Sequence, residues 1–72
     1  MTYKEKLLKR LPKHYHEMIY DFVPADGLVD ECKYLIYFNL GVSFCGYKDP
    51  GSWPVKTMNE AIQTIKECCE YE

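Results

Sequence analysis

Between Leu7 and Phe22 the apolar positions recur at helical spacing. At about 100° per residue, Leu7, Leu8, Leu11, Tyr15, Met18, Ile19 and Phe22 fall in one sector, while Lys6, Lys9, Arg10 and Lys13 gather opposite. Thr2 and Glu5 supply a T-x-x-E capping box at the start of this run. Pro12 breaks it, since proline is tolerated in a first helical turn but not in a helix interior. Across residues 17–23, Met18, Tyr20 and Phe22 also alternate, but the longer periodic match favours helix over strand.

Pro24-Ala25-Asp26-Gly27 reads as a turn that places Leu28 and Val29 in a connection. Lys33 to Phe38 and Val42 to Tyr47 are β-branched and aromatic runs, separated only by Asn39, Leu40 and Gly41. This spacing predicts a short antiparallel hairpin. In Asp49-Pro50-Gly51-Ser52, proline and glycine hold the central positions of a type II turn, so Trp53 to Lys56 can return as a third strand. Pro54 confines that strand to an edge. Thr57 and Glu60 form a second capping box, after which Met58, Ala61, Ile62, Ile65, Cys68 and Cys69 share a helical face. The predicted class is α+β, with one or more N-terminal helical segments, a two- to three-stranded antiparallel meander and a C-terminal amphipathic helix, as a single domain over residues 1–72.

The chain has 72 residues, near the size at which one core alone contributes roughly 3–5 kcal/mol. Seven tyrosines and three phenylalanines are ample for such a core and exclude a disordered composition. Neither a secretory h-region nor a run of membrane-spanning length follows Met1, which predicts a soluble cytoplasmic protein. The net charge is −2, but it is divided unevenly. Five cations against Glu5 make residues 1–16 +4, and the acids that follow Tyr15 leave residues 17–72 at −6.

Cys32, Cys45, Cys68 and Cys69 are expected to be reduced, buried thiols, because no secretory signal accompanies them. Only Cys68 and Cys69 lie close in sequence, and zinc ligands ordinarily come in pairs two or more residues apart, so no metal site is expected. His14 and His16 diverge by about 200° on a helix and read as solvated surface residues. No nucleophile signature, phosphate loop or metal spacing accompanies them, so neither catalysis nor a cofactor is expected.

Two binding surfaces remain. Lys6, Lys9, Arg10 and Lys13 could grip phosphates, with Tyr3 and Tyr20 placed for stacking, although the pI of about 5.6 is low for a dedicated nucleic-acid module. The helix-strand-strand-strand-helix order resembles the topology of the double-stranded RNA-binding domain, and similar small architectures occur in toxin-antitoxin proteins. That RNA-binding family carries a lysine cluster at the start of its last helix, where Lys56-Thr57-Met58-Asn59-Glu60 here has one lysine and an acid. The other surface is the sheet. If Tyr34, Ile36 and Phe38 face the helices, Leu35, Tyr37, Cys45 and Tyr47 occupy a second apolar face suited to a protein contact. The leading expectation is therefore a non-enzymatic protein-binding module of the kind that inhibits a basic, nucleic-acid-handling host protein, as phages and mobile elements carry. Its anchors would be Tyr37, Tyr47 and Trp53, with Asp49, Glu67 and Glu70 as the acidic rim. Nucleic-acid binding through the basic helix is the alternative, and a homodimer is compatible with either.

Overall fold

In the computed structural model, which describes residues 2–25 and 31–71, helices and antiparallel sheets are mixed as the predicted α+β class requires. Two short helices, α1 (Tyr3–Lys9) and α2 (Lys13–His16), lead into strands β1 (Ile19–Pro24), β2 (Tyr34–Phe38), β3 (Val42–Phe44), β4 (Tyr47–Lys48) and β5 (Ser52–Val55). Helix α3 (Met58–Cys68) follows, and strand β6 (Cys69–Tyr71) comes directly after it. Thr2 caps α1, accepting a hydrogen bond from the Glu5 amide. The chain breaks at Pro12 as expected, with proline standing at the N-cap of α2. The turn expected at Pro24-Ala25-Asp26-Gly27, with Leu28 and Val29 beyond it, falls largely outside the described residues.

Residues 19–24 form a strand, not the helix that periodicity favoured. The physical reason is a β-bulge between Ile19 and Asp21, which inserts Tyr20 as an extra residue in the pairing with β2. Ile19 and Phe22 are thereby both buried although three residues apart, so an irregular strand reproduces the spacing of a helical face.

The hairpin expected between β2 and β3 does not form. Strand β2 lies at the centre of a first sheet, ordered β1-β2-β5, so both of its edges are already paired. Asn39 is tied to the start of β1: its amide donates to the Met18 carbonyl at 3.0 Å, and its side chain donates to the Glu17 carbonyl at 2.6 Å. The chain continues into a second antiparallel sheet, ordered β4-β3-β6. A single three-stranded meander is thus replaced by two sheets, and the topology departs from that of the double-stranded RNA-binding domain. Strand β5 takes an edge, where the missing N–H of Pro54 is tolerated. At Asp49-Pro50-Gly51-Ser52 the turn is tighter than type II: the Ser52 amide donates to the Pro50 carbonyl at 2.9 Å, and Gly51 supplies φ +76°.

Thr57 caps α3 and accepts from the Glu60 amide at 3.0 Å, while the Glu60 carboxylate accepts from the Lys56 amide at 2.6 Å. The reciprocal bond therefore lands one residue earlier than in a standard capping box. Replacing Thr57 with alanine should cost about 1 kcal/mol. Chemical denaturation should show this as a lower midpoint with an unchanged slope. An unaltered midpoint would mean the cap contributes nothing.

Ala61, Ile62 and Ile65 of α3 are buried, with Met58 and Cys68 half-buried beside them. Cys69 lies beyond the helix that was expected to carry it, because the chain turns extended there and pairs with Phe44. The two sheets share one core, in which Phe44 touches Phe38 at 4.6 Å and Trp53 at 5.0 Å between ring centroids. Leu7 of α1 and Ile65 of α3 are fully buried in the same core.

Candidate functional site

The β3–β4 hairpin presents an exposed aromatic side chain, Tyr47, and its geometry starts from a two-residue turn. Cys45 and Gly46 have φ +50° and +84°, the positive values a type I′ hairpin requires. Phe44 and Tyr47 flank this turn as partners, so they share a face; Phe44 points into the core and Tyr47 emerges at the sheet margin. The Tyr47 ring is 63% exposed and is braced by Trp53 at 5.8 Å between centroids. Asp49 fastens the open end of the hairpin. Its carboxylate accepts from the Gly41 amide at 2.7 Å, and its own amide donates to the Val42 carbonyl at 2.9 Å. The neighbouring Leu40 is 90% exposed, a feature that a composition-based reading treats as part of a turn. An isolated apolar residue at a turn tip was the available signal.

The six residues expected to form one binding surface do not all converge. Tyr47 and Trp53 meet, and Asp49 secures the same hairpin. Trp53 is half-buried, however, and pairs with Ile36 on the inner face of the first sheet. Tyr37 lies opposite Asp21 and Ser52 in alternate register, which puts it on the other face of that sheet. Leu35, expected on this second face, is buried at 7% exposure. Glu67 is near the end of α3 and accepts from Gln63 at 3.3 Å. Glu70 belongs to β6, not to the last helix, and pairs with Ser43.

The alternative surface is more coherent in exposure. Lys6, Lys9, Arg10 and Lys13 are all exposed along α1 and the start of α2. Lys6 lies over the Tyr3 ring, 5.3 Å from its centroid, and the Arg10 guanidinium donates to Asn59 at 2.6 Å. These two side chains are partly committed within the fold. His14 is exposed against Tyr15, and a ring nitrogen of the half-buried His16 lies 3.0 Å from the Leu11 carbonyl. The histidines therefore have separate surroundings.

All four cysteines are free thiols, Cys69 buried and the other three half-buried. Cys69 donates to the Met18 sulfur at 3.5 Å, and burial raises its thiol from 9.0 to about 11. Cys45 is also raised to about 11, first by desolvation and then by its hydrogen bond with the Cys68 side chain. Both groups favour the neutral form, which is poorly suited to metal ligation or nucleophilic attack near neutrality. Among the described residues there is no cluster of three or more metal-ligating side chains, no cavity of ligand size, and no helix long and apolar enough to cross a membrane.

Comparisons with protein-family models, curated proteins and solved structures find no match. The local chemistry of the hairpin and the basic helix must therefore carry the functional argument.

Proposed function

We propose that this chain is a small non-enzymatic module that binds another protein through the β3–β4 hairpin, with Tyr47 as the anchor. The observation supporting this reading is an exposed tyrosine held by a tight turn and braced against a half-buried tryptophan. A side chain fixed in this way loses little conformational freedom on association while burying a large area. Leu40, next to the Gly41 that Asp49 holds, is a second exposed apolar side chain at the open end of the hairpin, and Trp53 packs against the anchor. The acidic balance of residues 17–72 suits a basic partner, including a nucleic-acid-handling host protein inhibited by a phage or mobile element. Asp49 and Glu67 supply carboxylates on the hairpin and at the end of α3, while Tyr37 and Glu70 lie on other faces and serve this contact less directly.

The test begins with affinity capture of the partner and continues with Tyr47→Ala. Binding should weaken by about 2 kcal/mol, roughly 30-fold, without a change in melting temperature. Trp53→Ala is a poorer probe because it also removes core packing. Exposure of Lys6, Lys9, Arg10 and Lys13 favours nucleic-acid binding as the second reading. If Tyr47→Ala retains full binding while charge reversal at Lys9 and Arg10 abolishes it, with a steep salt dependence, the basic helix is the functional surface.

A further inference from the structure

Strands β3 and β6 are antiparallel, with Val42 opposite Tyr71, Ser43 opposite Glu70 and Phe44 opposite Cys69. One further step in the same register places Cys45 opposite Cys68. The strand pairing itself ends at Phe44 and Cys69, but the Cys45 amide still donates to the Cys68 carbonyl at 3.3 Å, and the Cys68 side chain is close enough to raise the Cys45 thiol. A direct backbone hydrogen bond keeps the two residues near each other, and a disulfide ordinarily spans Cα separations of about 4.4–6.8 Å. The neighbouring Cys69 is engaged elsewhere, buried against the Met18 sulfur.

The backbone at Cys45 adds an independent observation. Its φ of +50° occupies the first central position of the type I′ turn, where asparagine, aspartate or glycine fits with least strain. Turn geometry gives no reason for cysteine there, whereas its backbone hydrogen bond to Cys68 does.

We infer that Cys45 and Cys68 constitute a redox-modification site, a dithiol that closes reversibly into a disulfide joining the hairpin turn to the end of α3. With oxidised glutathione as oxidant, one protein thiolate attacks the small disulfide, forming a mixed disulfide and releasing one glutathione thiolate. The second cysteine, as thiolate, then attacks the protein sulfur of that intermediate and expels the second glutathione thiolate. Both thiol protons leave to solvent or to the departing thiolates. Two protein thiols and one glutathione disulfide thus become one protein disulfide and two glutathione thiols. The raised Cys45 thiol makes the dithiol slow to react near neutrality, because the thiolate is the reactive form. Glu67 and the Cys68 side chain, both from α3, act on Cys45 in the same direction. Closure therefore requires sustained oxidising conditions.

The reduced full-length chain should be equilibrated across ratios of reduced to oxidised glutathione, alkylated, and mapped by peptide mass spectrometry. The expected product is an intramolecular Cys45–Cys68 link, reversed by excess reduced glutathione and accompanied by a higher melting temperature. Cys45→Asn, which suits the turn, should fold and abolish the link; Cys32→Ser should retain it. The inference is overturned if four free thiols persist in fully oxidised glutathione, or if the products are mixed disulfides, intermolecular dimers, or links through Cys32 or Cys69. Mapping of the unsubstituted chain decides the matter even if a variant fails to fold.

Discussion

Replacing Phe44 with alanine should leave the protein largely unfolded at room temperature. Phe44 is fully buried, packs between Phe38 and Trp53, and belongs to the central strand of the second sheet. Truncating a buried phenylalanine costs about 3–5 kcal/mol, comparable to what a core of this size contributes. The loss should also free the ring beneath Tyr47, because Trp53 would no longer have its edge-on partner. Circular dichroism and the dispersion of amide NMR signals would measure the effect. A variant that melts within a few degrees of the parent would show that the two sheets do not depend on this contact.

Ile65→Ala should be nearly as severe, at about 2–5 kcal/mol, for a different reason. Ile65 is fully buried at the centre of the inner face of α3, whose last residue leads directly into β6. Undocking the helix would therefore also remove a strand from the second sheet. The milder Ile65→Val should cost about 0.5–1.5 kcal/mol, a graded response that identifies lost packing as the cause. Equal, negligible shifts for both variants in thermal unfolding would place the residue outside the core.

Local chemistry was the legible part of this fold. Thr57 and Glu60 announced the start of α3, Thr2 and Glu5 that of α1, and Pro12 the break between the first two helices. Strand pairing was less accessible, because it depends on which edges are already occupied. Nothing near Asn39 in sequence reveals that it will bind the backbone of Glu17 and Met18 and direct β3 away from β2. The bulge at Tyr20 was hidden for the opposite reason: its consequence, burial of both Ile19 and Phe22, matches a helical pattern. In the candidate site, the aromatic content was evident, but the alternation of β2 and β5 put Tyr37 and Trp53 on opposite faces. The Cys45-Gly46 turn carries little signal in the sequence, because cysteine is not a turn-forming residue by composition.

Strand β6 also makes the second sheet depend on a pairing that is distant in sequence. The first sheet is contained within residues 19–55, but the second partner of β3 lies at residues 69–71. The Tyr71 hydroxyl then reaches back to the Glu17 carbonyl, joining positions 54 residues apart. Were β6 undocked, Val42 and Phe44 would lie beside an unpaired strand edge, a combination prone to association with other chains. Docking of β6 is thus what closes this edge of the second sheet against other chains.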